Sequence, residues 1–291
     1  MSSPTTPLPP ATLKTSAQNQ FVGRLSQLPW WLLFILLAGV ILIYKFSTDE
    51  LYSTIFDRLK AGIGTTIFVS VVAYTSAIAI GLVAGLGRVS KNVVIFNLAT
   101  LYVQIIRGVP ILVQIFYASF VLTPAFFSLM QAIGAGLVPV LGAGNFLTQM
   151  NTQNVSLLTR AVIALSIAYG GFEAETFRAG IESIGRGQME AGRSLGMSYM
   201  QSMRYIVLPQ AIRRILPPLG NDFISIVKDS SLVSVLGVRD ITQEARVYVS
   251  ASFRYPETYN SLAFMYLSLT ILLSLGMKWV ETRWGEHGRA G

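Results

Sequence analysis

The sequence predicts an all-α integral membrane protein with about six transmembrane helices. Three observations carry that prediction. Of the 291 residues, 52% are apolar and only 12% are charged, about half the charged share of an ordinary soluble domain. The mean hydropathy is +0.55, so too few polar side chains remain to cover a water-facing surface of this size. The basic residues behind the net charge of +8 stand in short blocks between apolar runs, as in the loops of membrane proteins. That placement argues against nucleic acid as a partner. The chain has no cysteine and one histidine, His287, which excludes disulfides, thiolate chemistry, zinc fingers, iron–sulfur clusters and bis-histidine haem. No acidic run has the spacing of a calcium or magnesium site, so no metal is expected.

Taken in order, residues 1–27 are rich in Ser, Thr, Pro and Gln and read as a disordered cytoplasmic tail. The apolar run Leu28–Tyr44 lacks a small-residue cleavage site, so it reads as a membrane helix rather than a signal peptide. Its length covers about 26 Å, enough to cross a hydrocarbon core, with Trp30 and Trp31 at one interface. No charge falls between Lys60 and Arg88, which places a second span at 61–86. Gly81 and Gly85 form a GxxxG pair there, a weak signal for close helix packing. The uncharged stretch from Gly108 to Thr159 carries Pro110, Pro124 and Pro139 and is too long for one helix. It divides into a third span at 98–122 and an outer loop at 123–156. Further spans follow at 157–179, 211–237 and 259–279, and residues 283–291, with His287, form a second polar tail. Lys and Arg are twice as frequent in the loops holding Lys14, Arg88, Arg193 and Lys278 as in those holding Lys45, Arg58 and Arg239. That bias places both termini in the cytoplasm.

The cytoplasmic segment 180–210 is not a simple loop. Met189, Leu195 and Met197, then Met200, Met203, Ile206 and Val207, recur at helical spacing in two pieces. Gly187, Gly192 and Gly196 interrupt the pattern, and Pro209 is expected to stop the second piece. Two short amphipathic helices along the membrane face would expose Glu190, Arg193 and Arg204. Periodicity alone fits a bland surface helix as well as a docking surface.

Glu190-Ala191-Gly192, three residues, Gly196, nine residues, Ile206, one residue and Leu208-Pro209 resemble the EAA motif of binding-protein-dependent ABC importer permeases. One position departs, since Gly192 stands where the motif usually has alanine, a change that loosens a helix by about 1 kcal/mol. The resemblance extends over 57–280: RGVPILVQ at 107–114, YGGFEAETFRAGIESI at 169–184 and VKDSSLVSVLGV at 227–238 are similar to the polar amino acid branch, which includes histidine, arginine and glutamine importers. It implies a five-span importer domain at 57–282 and an extra N-terminal transmembrane helix at 28–45. It makes 190–209 the cytoplasmic coupling helix seated on an ATPase. It further implies a permease homodimer or heterodimer, two ABC ATPase subunits, an extracytoplasmic amino-acid-binding protein and surrounding membrane lipid.

The chain cannot cradle a nucleotide phosphate, because that needs Gly-Lys followed by Ser or Thr and none of its six lysines follows a glycine. ATP and Mg are therefore expected on the partner ATPase, with no cofactor and no catalytic residue in this chain. An amino acid brings one ammonium and one carboxylate, both costly to bury unpaired. Arg107, Glu173, Glu175, Asp222, Lys228 and Asp229 lie in or near the spans, where each unpaired charge costs about 3 kcal/mol. Glu173 is assigned to the substrate ammonium, Arg107 or Lys228 to its carboxylate, and Asp229, Ser230 and Ser231 to the path beside them. The competing structural reading pairs Lys228 with Asp222 or Asp229, and Glu175 with Arg178. Gly170 and Gly171 would either free backbone groups to line a cavity or let helices pack closely. Two rivals remain at this point: an ATP-independent channel or secondary carrier, and a membrane enzyme without any recognisable metal motif.

Overall fold

The computed structural model describes residues 30–142 and 144–286. The tail 1–27, the start of the predicted first span, and His287 with the end of the second tail lie outside these residues. All regular structure among the described residues is helical, as membrane depth demands, since a helix satisfies its own backbone groups.

Helix α1 (Trp30–Thr48) is apolar on every side and ends at Lys45 and a short turn. Helix α2 (Glu50–Lys60) begins where Asp49 accepts hydrogen bonds from the Leu51 and Tyr52 amides, satisfying donors that a helix start leaves open. It runs almost directly into α3 (Ile63–Arg88). Helix α4 (Val93–Gly108), capped by the Asn92 side chain, ends at Val109, whose extended backbone precedes Pro110. The proline ring disfavours helical geometry at the residue before it. The predicted span 98–122 therefore straddles a break rather than forming one helix. The long helix lies further on, as α5 (Ile111–Gly136). The first part of the predicted outer loop 123–156 is thus helical, and only its remainder, after short turns, leads into α6 (Leu157–Glu182).

Further along the chain, α8 runs from Tyr199 to Asp229 through a π-turn at Met203–Val207, and the 3-10 turn Ser230–Leu236 continues it. Helices α9 (Ile241–Ser252) and α10 (Tyr255–Glu286) complete the described residues. Among the described residues, four helical stretches are long and apolar enough to cross a membrane, Glu50–Arg88, Ile111–Gly136, Leu157–Glu182 and Tyr255–Val280, with two shorter apolar helices at Leu32–Thr48 and Val93–Gly108.

The centre of the fold is the α3–α6 pair. A Cβ added at Gly85 would lie 2.8 Å from the Ala174 carbonyl oxygen and from Phe177 Cβ, and one at Gly81 would strike Glu173 and Ala174. Only hydrogen fits at those positions, so the GxxxG pair does mark a contact. Gly170 and Gly171 serve the same end from the other helix. Side chains there would meet Ile80 and the Tyr102 hydroxyl, and Ile106, inside an unbroken helix. They are packing glycines, not openings in the backbone.

Candidate functional site

The module at 186–209 is built by ordinary helix-end chemistry. Helix α7 (Arg186–Ser194) carries Glu190, Ala191 and Gly192. It ends at Gly196, whose φ of 81° is left-handed, a conformation that costs an L side chain about 1–2 kcal/mol. The Gly196 amide donates to the Arg193 carbonyl and the Met197 amide to the Gly192 carbonyl, the paired closure that lets a helix stop in one residue. Two residues later Ser198 and Gln201 cap each other's backbone amides and start α8.

Pro209 does not stop that second helix. The Leu208 amide donates five residues back, to Met203. This widened turn sits just before the proline, which has no amide of its own to give. The same device recurs in α5, where the Thr123 amide reaches Ala118 just ahead of Pro124. There the Ala118 carbonyl also accepts the Thr123 hydroxyl at 2.7 Å.

The two halves of the module lean on each other at Gly192. A Cβ there would come within 2.7 Å of Ser202 Oγ and 2.8 Å of Ile206 Cδ1. The substitution of glycine for the usual alanine thus follows from a close approach between α7 and α8. Beneath, Ile184, Met189, Met203, Val207, Ala211 and Ile215 form one apolar cluster with Phe177 of α6, so the module is anchored in the bundle. Arg214 Nη1 adds a 2.6 Å hydrogen bond to the Ser183 carbonyl.

The outer face differs from expectation. Glu190, Arg193 and Arg204 are exposed as predicted. However, Leu195 is 82% exposed and Met200 69%, with Tyr199 and Tyr205 beside them. Leu195 and Met200 were expected on the inward apolar stripe; they point away because the one-residue stop at Gly196 turns the chain before α8 begins. The result is a firmly backed patch of large apolar side chains among charges, the anatomy of a protein-binding surface.

At membrane depth the ionisable residues separate into two groups. The Glu175 carboxylate of α6 is bound by Arg88 from α3 and by Arg178 one turn on, while Arg107 Nη1 of α4 stands 3.8 Å away. Arg178 also reaches Glu182. Of the sequence alternatives, Glu175 thus has its predicted partner Arg178 and two more from distant helices. Arg107, assigned to a substrate carboxylate, is half-exposed and turned toward Glu175 instead.

Glu173, two residues earlier, is fully buried, and among the described residues neither carboxylate oxygen accepts a well-formed hydrogen bond, the Tyr74 hydroxyl being the polar group beside it. Tyr74 and Asp222 are its electrostatic neighbours. The Tyr74 hydroxyl donates to the Leu219 carbonyl, next to Pro217 and Pro218, which interrupt amide donation inside α8. Tyr169 Oη donates to Asp229 Oδ2 at 2.8 Å. The Ser230 hydroxyl is buried and donates to the Val227 carbonyl at 2.8 Å, while Ser231 is half-buried. Lys228 is exposed, and among the described residues no ion pair joins it to Asp222 or Asp229; the expected pairing of Lys228 is absent. Sequence reasoning missed Tyr74 and Tyr169. Their signal was a phenol inside an apolar span, which needs a partner for its hydroxyl.

Comparison with known proteins accords with this architecture. Residues 77–286 match the family model described as binding-protein-dependent transport system inner membrane component. The chain is 33% identical over 225 residues to the glutamine transport system permease protein GlnP of Escherichia coli K12, covering 77% of this chain and 92% of that protein. It is 34% identical over 234 residues to the probable glutamine ABC transporter permease protein GlnM of Bacillus subtilis, covering 79% and 96%. Among solved structures, a chain from the crystal structure of an amino acid ABC transporter with histidines is 34% identical, with a TM-score of 0.65 over 82% of this chain and 98% of that one. The inward-facing MetNI methionine ABC transporter, 18% identical with a TM-score of 0.59 over 78% and 95%, shares the fold. The chain therefore belongs to the family of binding-protein-dependent transport system inner membrane components.

Proposed function

We propose that this chain is the permease subunit of an ATP-driven ABC importer for polar L-amino acids in a bacterial cytoplasmic membrane, with both termini in the cytoplasm. Relatives that carry glutamine or other amino acids support the substrate class. Residues 57–282 form the importer domain, to which α1 is an addition. Two permease chains, identical or related, enclose the path. Two ATPases holding ATP and Mg dock below, and an extracytoplasmic binding protein delivers substrate from above.

The single observation carrying the coupling reading is the module at 190–209. Its inner face is locked to α6 and α8, while its outer face presents Leu195, Tyr199 and Met200 beside Glu190 and Arg193. Gly192 and Ile206 bring its two helices together, Leu208 and Pro209 continue the second helix, and Ala191 and Gly196 lie on the ATPase side. A push on such a rigid handle tilts the helices joined to it, which is how alternating access is driven.

Along the path, the orphaned carboxylate of Glu173 takes the substrate ammonium. Lys228, free of any ion pair among the described residues, is the better partner for the substrate carboxylate, because Arg107 already faces Glu175. Asp229 and Ser231 lie on the same stretch; the Ser230 hydroxyl, its proton given to Val227, is left as an acceptor.

The coupling role is tested with Glu190→Lys and Gly196→Asp. Both variants are expected to insert in the membrane yet lose substrate-stimulated ATP hydrolysis and uptake in proteoliposomes holding the complete complex. Normal uptake by both variants would refute the role.

A further inference from the structure

The added helix α1 does not seal against the bundle. Phe46 packs on Phe264 of α10 with ring centroids 5.5 Å apart, and Phe264 also fills the space beside Gly39. Along the same two helices runs a cavity of about 700 Å³. Its walls are almost wholly apolar, including Phe34, Ala38 and Ile41 on one side and Ala263, Leu267 and Ile271 on the other. Among the described residues the one charged lining residue is Lys45, accompanied by Tyr52 and by Asn260 near the start of α10.

From Phe34 to Lys45 the groove follows α1 for about 17 Å at helical rise, close to the hydrocarbon depth of a single leaflet, half of about 30 Å. At its polar end, Lys45 Nζ stands 3.5 Å from Tyr52 Oη and 4.6 Å from the centroid of that ring. Among the described residues no carboxylate pairs with it. An ammonium has three donors, so two remain for a ligand. The charge stands at one end of an apolar slot about as long as one leaflet is deep.

We propose that this groove is a binding site for one anionic phospholipid. Its acyl chains lie between α1 and α10, and its phosphate takes the Lys45 ammonium, with the Asn260 amide beside it. A helix from a second permease chain would fill the slot but leave the lysine charge against apolar side chains, so lipid is the occupant the charge selects. A zwitterionic lipid brings its own ammonium, which opposes Lys45. This proposal is independent of the substrate and coupling roles above.

The test is native mass spectrometry of the purified complete transporter, offered equal amounts of phosphatidylglycerol and phosphatidylcholine. The unaltered protein is expected to retain phosphatidylglycerol about fivefold over phosphatidylcholine, the effect of one basic side chain at an anionic surface. Lys45→Gln removes that preference while some lipid is still retained, and Ala263→Trp, which fills the slot, lowers retention of both lipids. Equal retention by the unaltered protein, or a preference that survives Lys45→Gln in a normally assembled complex, would overturn the proposal. So would efficient disulfide cross-linking of an Ala263→Cys variant to a second permease chain.

Discussion

Glu175 receives three arginines from three helical segments, whereas Glu173, two residues earlier on α6, is buried with no ion pair among the described residues and only the Tyr74 hydroxyl beside its carboxylate. Two residues along a helix turn a side chain by about 200°, so the pair faces opposite sides of one rod. On Glu175's side the ends of α3 and α4 bring Arg88 and Arg107 within reach. On Glu173's side lie Gly81, Tyr74 and Asp222, which offer no cation. A carboxylate surrounded by arginines is a structural tie. One kept dry with both oxygens empty costs free energy in the resting protein, and a cationic group arriving from outside recovers it. The difference separates a stability element from a candidate ligand site within a single helical turn.

Breaking the tie should have the largest effect on the protein itself. Glu175→Gln leaves Arg88, whose side chain is only 12% exposed, without its counter-charge. Removing one member of a buried pair costs about 3–5 kcal/mol. Because Glu175 is 26% exposed, about 2–4 kcal/mol is expected, read as a lower unfolding temperature of the detergent-solubilised protein. Adding Arg88→Gln to the same chain should return part of that loss; a double variant as weak as the sum of the singles would show that the two do not interact.

Glu173→Gln should behave in the opposite way. With no ion pair to lose, thermal stability should stay within about 1 kcal/mol of the unaltered chain, while uptake into proteoliposomes falls at least about tenfold, the value of one lost charge-assisted contact. Unaltered uptake would remove Glu173 from the path. The smallest effect belongs to Arg107→Gln. Its 3.8 Å, half-exposed contact contributes at most about 1 kcal/mol. Uptake should also be nearly unchanged if Lys228 serves the substrate carboxylate. A loss of uptake as deep as that of Lys228→Gln would return Arg107 to the path.

The legible parts were those written in neighbouring residues. The Glu175–Arg178 tie follows from a spacing of three on a helix, and the helix stop at Gly196 from a glycine at a fixed distance after Glu190. Arg88 and Arg107 lie 87 and 68 positions from Glu175, a separation no local pattern encodes. The break at Val109 was signalled by Pro110, yet it was passed over because the apolar run continues on both sides. Pro209 misled in the reverse sense: its rule is local and correct, but a π-turn absorbed the missing amide.

Sequence alone determined that the chain is a helical membrane protein, because hydropathy and helical period are properties of contiguous residues. It also marked the module at 190–209, through the spacing of Glu190, Gly196, Ile206 and Pro209. Only the tertiary structure decided which carboxylate is neutralised and which stands empty, why position 192 is glycine, and that α1 leaves a slot beside Lys45. Those outcomes depend on the distances between helices far apart in the chain, and such distances are set by packing, not by the order of residues along any one of them.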